Sequence, residues 1–134
     1  MPMTTALYAG ILGLISIGVA FPAGRLRSQK SVSVGDGGHQ ALLLAMRRHA
    51  NFVEYVPLAL ILLGLLELNH VRPAAIHVLG LALVLARLCH AFGMRADTMK
   101  SPGRFVGASL TVLVIVVSSV WAIFTFVGWR LFGP

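Results

Sequence analysis

Arg47, Asn51, Glu54 and Tyr55 stand at the head of a run, Leu58 to Leu66, made mainly of Leu, Ile and Ala. On a helix turning about 100° per residue, the four lie within an arc of about 100°. A guanidinium, a carboxamide, a carboxylate and a phenol then share one face, beside a stretch suited to lipid. Ionisable groups at membrane depth are costly, so they face protein or a water-filled cavity and are functional by default. A second pair, Arg87 and His90, stands three residues apart in another apolar run, close enough to share a helix face. Arg25, Arg27 and Arg104 flank the apolar segments on the same membrane side. Only Glu54 is placed to oppose these cations inside a bundle. An unpaired charge in a partly dry place carries a desolvation penalty of several kcal/mol, roughly, unless an anion binds there. Arginine holds carboxylates through two parallel hydrogen bonds. The residues therefore point to a small anionic ligand rich in hydrogen-bonding groups, with an apolar partner arriving from the lipid.

The elements that position these groups follow from composition. The chain has 134 residues, 57% hydrophobic and 11% charged, with a mean hydropathy of +0.87. A soluble domain carries about 25% charged residues. An all-α integral membrane four-helix bundle in one domain is expected, with helices over about 4–24, 39–68, 73–95 and 102–130. Each reaches the ~20 residues that a spanning helix needs. The first segment lacks a basic leader and its apolar stretch is too long for a signal peptide, so it reads as a retained helix. Pro22 and Gly24 mark its weakening end, and Arg25 and Arg27 follow as interfacial anchors or ligand groups. Gly35, Asp36, Gly37 and Gly38 specify a turn with positive φ, and Asp36 is a candidate cap for the second helix. The second helix exceeds one crossing, which places Arg47 to Tyr55 near the boundary, with Pro57 kinking the helix just beyond them. A short third loop covers Asp97 to Gly103, and Pro102 suits a helix start.

Several function classes drop out. The net charge of +7 sits in interhelical loops rather than on one face, which argues against nucleic acid. The basic first and third loops are assigned to the cytoplasm and both termini to the outside. Trp121 and Trp129 fit a belt at the far interface. No pair of histidines has metal-ligand spacing, so no metal is expected. Cys89 excludes an intrachain disulfide and reads as a lipid-shielded structural thiol.

The pattern Arg-x-x-x-Asn-x-x-Glu-Tyr-x-Pro, here Arg47, Asn51, Glu54, Tyr55 and Pro57, resembles the signature of the MAPEG family, the membrane-associated proteins of eicosanoid and glutathione metabolism. Arg87-Leu-Cys-His90 is similar to the Arg-x-x-His of its microsomal glutathione transferases, and the Gly-Asp-Gly-Gly loop to that of small bacterial members. The resemblance implies a homotrimer in a bacterial inner membrane, with glutathione as co-substrate at each subunit interface. It implies glutathione contacts from Arg47, Asn51, Glu54 and Tyr55 of one subunit. Arg25 or Arg27, with Arg87 and His90, fits the positions contributed by the next. Arg104 best fits the thiol-activating arginine, with Arg95 as its rival. One departure is plain: Met94 stands where eicosanoid-handling members carry a tyrosine.

The mechanism implied is attack by a glutathione thiolate on a lipophilic electrophile or hydroperoxide entering from membrane lipid. The alternative is a non-catalytic lipid-binding or accessory protein on the same fold, which Met94 keeps open. Glu54 as a proton-coupled exporter carboxylate fits less well, because such a site needs no arginine cluster.

Overall fold

Four apolar runs separated by Gly-, Pro- and Asn-containing breaks give four helices and, among the described residues, no strand. The computed structural model describes residues 1–96 and 100–132. Helix α1 spans Met3–Lys30, α2 Gln40–Leu68, α3 Pro73–Gly93 and α4 Pro102–Phe132. Each is long and apolar enough to cross a membrane. The 29 residues of α2 extend about 44 Å at 1.5 Å per residue, more than the ~30 Å hydrocarbon core. Its ends therefore reach the interfaces, as the sequence implied.

Helix α1 does not end near residue 24 as expected but continues to Lys30. Pro22 withholds a single backbone donor, a loss that a packed membrane helix tolerates. The true stop is Ser31, in the left-handed region at φ 53°. There the Ser31 and Val32 amides close on the Ser28 and Arg27 carbonyls. Arg27 and Lys30 in the last turn oppose the negative end of the helix. Pro57 likewise lies inside α2 without ending it. Helix α3 stops at Gly93, slightly before the expected position, with the Met94 amide on the His90 carbonyl.

The first loop turns through Gly35, Gly37 and Gly38 at φ of 71°, 56° and 76°, as predicted. Asp36 does not cap α2, whose N-cap is His39 without a side-chain bond. Instead its Oδ1 accepts the Gly38 amide and its carbonyl the His39 amide, so it braces the turn itself. In the third loop, Asp97, Thr98 and Met99 lie outside the described residues, while Pro102 opens α4 as expected.

Packing pairs α1 with α2 and α3 with α4 most extensively, and α2 also touches α3 and α4. Tyr8, Leu12, Phe52, Val56, Ala59, Leu83, Val84 and Val114 form the shared core. Glycine permits close approaches at Gly80 and Gly107, among others. Gly80 receives the Tyr8 ring, which would lie 2.3 Å from an added Cβ. Gly107 lets α4 approach α3, and a Cβ there would lie 2.5 Å from both the Ala86 carbonyl oxygen and the His90 amide.

One carboxylate joins the ends of two helices. The first amides of α1 have no partner within the helix. Glu67, near the end of antiparallel α2, accepts the Thr4 amide at 2.8 Å and the Thr5 amide at 2.7 Å. A carboxylate at a helix N-terminus also complements its dipole. Nothing in the local sequence around Glu67 announces this role, because its partners lie more than sixty positions away.

Candidate functional site

A guanidinium without water must find acceptors or aromatic faces in the protein. Arg87, 1% exposed, finds them for both Nη nitrogens, while its buried Nε has no hydrogen-bond partner. Its Nη2 donates to Asn51 Oδ1 of α2 at 2.7 Å and lies 3.3 Å from His90 Nδ1 on its own helix. Its Nη1 donates to Thr111 Oγ1 of α4 at 3.3 Å. The Thr111 hydroxyl in turn donates to the Gly107 carbonyl at 2.8 Å. The Phe52 ring lies under the guanidinium at 5.6 Å, within cation–π range. Arg87 thus ties three helices together at one depth and sets the orientation of Asn51 and His90.

Beside this network a cleft of about 240 Å³ opens among Arg47, Asn51, His90, Met94, Arg95 and Arg104, walled by Leu43 and Leu44 and reached by Gln40. Among the described residues that line it, none carries a carboxylate. The Gly107 contact presses α4 against α3, and Gly93 does the same one turn nearer the loop, its absent Cβ leaving room for the Arg104 amide. These contacts hold Arg104, in the first turn of α4, opposite Arg47 of α2. A smaller cavity of about 40 Å³ lies deeper, between Asn51, Tyr55, Arg87, Ala108, Thr111 and Val112.

The structure therefore brings Arg47, Asn51, His90 and Arg104 into one cleft, with Arg95 beside them. Arg87 and Tyr55 line the deeper cavity instead. Arg87 touches the cleft only through Asn51 and His90, so its place is that of a positioning residue. Glu54 is exposed and lines neither cavity. Arg25 is exposed at the end of α1, away from both. Arg27 is drawn into the first loop: it donates to the Ser33 carbonyl at 3.1 Å and to Met46 Sδ at 3.3 Å. Cys89, expected to be shielded by lipid, lies on the surface of the single chain within the membrane-spanning α3.

Three contributors escaped the sequence reading. Thr111 supplies an acceptor to Arg87, and its signal was the need of a buried arginine for acceptors on a facing helix. Gly107 provides the close approach. Met94, noted only as a departure, is buried in the cleft wall and gives its carbonyl to Arg48.

Comparison with known proteins bears on the same residues. A model of the MAPEG family matches residues 5–124. The chain is 35% identical over 122 residues to the inner membrane protein YecN of Escherichia coli strain K12, covering 89% of this chain and 92% of that protein. YecN of Escherichia coli O6:H1 matches to the same extent. No solved structure matches.

Proposed function

The chain belongs to the MAPEG family, and from that premise we propose that it is a membrane-bound glutathione transferase acting on a lipophilic electrophile or hydroperoxide. The observation that carries this reading is the cleft in which Arg47, Arg95 and Arg104 meet Asn51 and His90 with no carboxylate among the described lining residues. Glutathione fits its chemistry. The tripeptide brings two carboxylates, which match guanidinium forks, and amides that a carboxamide and an imidazole can bind.

Its size points to a shared site. Pockets that enclose a drug-sized ligand measure roughly 300–1,000 Å³, and the cleft of one chain offers about 240 Å³. One chain then supplies one wall, and a neighbouring copy in a homotrimer supplies the other. Glu54 and Tyr55, exposed on the helix that carries Arg47 and Asn51, face that neighbour, where Glu54 can take the glutathione ammonium. Arg25, exposed at the end of α1, is the arginine free of the first-loop contacts that hold Arg27.

The chemistry required is stabilisation of a thiolate. A free thiol ionises with a pKa of about 8.5, and an adjacent cation lowers it. A guanidinium remains charged at any working pH, so it favours the thiolate without exchanging a proton. Arg104 takes that role, held on the α3 surface by the glycine contacts. The thiolate sulfur then bonds to an electrophilic carbon, displacing its leaving group or adding to an activated double bond whose carbanion takes a proton from water. With a hydroperoxide it takes the terminal oxygen instead, breaking the O–O bond and releasing the alcohol. A second glutathione then reduces the resulting sulfenic acid to the disulfide and water. Like its YecN relatives, the protein sits in an inner membrane, with the basic loops one and three on the cytoplasmic side and both termini outside.

A generic electrophile assay on the purified protein tests this. The parent conjugates glutathione, and Arg104→Gln lowers kcat by about 100-fold, the scale of one lost transition-state donor. Arg95→Gln lowers it far less. An equal loss in both variants would shift the thiol-activating role away from Arg104 alone. A second reading, a non-catalytic lipid-binding protein, is favoured by the apolar Met94 side chain in the cleft wall. Glutathione binding with neither conjugation nor hydroperoxide reduction would establish it.

A further inference from the structure

A second cavity, on the other side of α3, plays no part in the reading above. It measures about 300 Å³ and is lined by Ile15, Gly18, Val19 and Pro22 of α1 and Leu88, Ala91 and Phe92 of α3. Among the described residues, Arg48 of α2 is the one polar side chain on its wall. Gly18 and Pro22 are exposed, as is Phe92 at 80%, so the cavity opens on the side of the bundle. It lies at the end that carries the basic loops, lined by the part of α1 that leads into Arg25, Arg27 and Lys30.

Arg48 is not fully engaged. Its Nη2 donates to the Met94 carbonyl. Its Nε is buried and has no partner. A buried charged donor without an acceptor is unfavourable. Apolar walls do not hold ordered water. The combination, an apolar slot with one guanidinium at its basic end, is complementary to an anionic amphiphile.

We propose that this cavity binds an anionic phospholipid of the leaflet at the basic end, with one acyl chain between α1 and α3 and the phosphate on Arg48. Basic pockets between membrane helices hold anionic headgroups in this way. The charges of the chain disfavour a second copy as the occupant. The chain has four acidic residues, and Asp36 and Glu67 are already engaged within it, by the first loop and by α1. A copy therefore has few carboxylates to offer Arg48, whereas every phospholipid of the required class carries a phosphate. The site is separate from the arginine cleft, so its failure leaves the glutathione reading intact.

Two variants isolate head and tail. An added Cβ at Gly18 meets nothing within 4 Å, and Gly18 lines the slot, so Gly18→Leu is the variant chosen to occupy it. Arg48→Gln removes the cation. Native mass spectrometry of the solubilised protein with dioleoyl phosphatidylglycerol, dioleoyl phosphatidylcholine and oleate reads the result. The parent retains phosphatidylglycerol in preference to phosphatidylcholine. Arg48→Gln lowers that preference by about tenfold, the scale of one charge-assisted hydrogen bond. Gly18→Leu abolishes retention of both lipids, with glutathione binding and oligomer size unchanged. Equal retention of both phospholipids by the parent overturns the proposal, as does displacement of the phospholipid by equimolar oleate. A Gly18→Leu protein that keeps its lipid, or that changes oligomer size, also overturns it, the latter because the slot is then an interface between copies.

Discussion

Two residues one helical turn apart, Arg47 and Asn51, separate binding from stability. Asn51 gives the shortest hydrogen bond to the buried Arg87 guanidinium, at 2.7 Å. Asn51→Ala leaves that charge short of an acceptor and lowers stability by about 1.5–3 kcal/mol. Arg47 is exposed and lines the cleft. Arg47→Ala changes stability within about 0.5 kcal/mol. Thermal unfolding in detergent checks the contrast, and an Arg47 variant less stable than the Asn51 variant contradicts it. At this scale the sequence was informative about convergence. Spacing put Arg47 and Asn51 on one face, and His90 and Arg104 joined them at the same depth. It could not distribute the charges. Periodicity names a face without naming what covers it, so Glu54 was placed inside a bundle where it is exposed. Arg87 was assigned to ligand although its donors meet Asn51 and Thr111.

Glycines and end-caps set the helices. Gly107→Val puts branched carbons where even a Cβ lies 2.5 Å from the Ala86 carbonyl, and overpacking of this kind costs about 1–3 kcal/mol. Displacing α4 also moves Arg104, so glutathione turnover falls with stability. Gly24→Ala, with nothing within 4 Å of the added Cβ and helix on both sides, stabilises α1 by up to about 1 kcal/mol. Unfolding midpoints moving in opposite directions confirm the pair, and a shift in the same direction contradicts it. Glu67→Gln weakens the cap on α1 and lowers stability by about 1–2 kcal/mol, with glutathione affinity unchanged, which calorimetry of the folded variant reads. Helix existence was legible from hydropathy alone. The end of α1 was not. Pro22 and Gly24 are weak stops inside an otherwise satisfied helix, and the decisive stop is the conformation of Ser31. Glu67 was invisible for a different reason: its role arises only once α1 and α2 lie antiparallel.

For the whole molecule, the balance of charge and area decides what is missing from a single chain. Large apolar side chains such as Phe105, Phe124, Phe126 and Trp129 are exposed along α4, as lipid or a neighbouring subunit requires. The cleft of one chain measures about 240 Å³, below the roughly 300–1,000 Å³ of pockets that enclose a drug-sized ligand, and Glu54 of α2 is exposed. Light scattering of the solubilised protein is expected to give the mass of three copies, and a monomer that binds glutathione contradicts the shared site. The class of molecule was plain from 11% charged residues in a chain that is 57% hydrophobic. A division of the site between copies is proposed from the family resemblance and not from the residues themselves, because one sequence carries no record of which surface meets another. The central claim is that the arginine cleft is a glutathione site. Calorimetric titration of glutathione into the detergent-solubilised protein and its Arg47→Ala variant tests it most directly. Saturable binding by the parent, lost in the variant at unchanged oligomer size, is the predicted result. No heat of binding from the parent at millimolar glutathione would contradict the account.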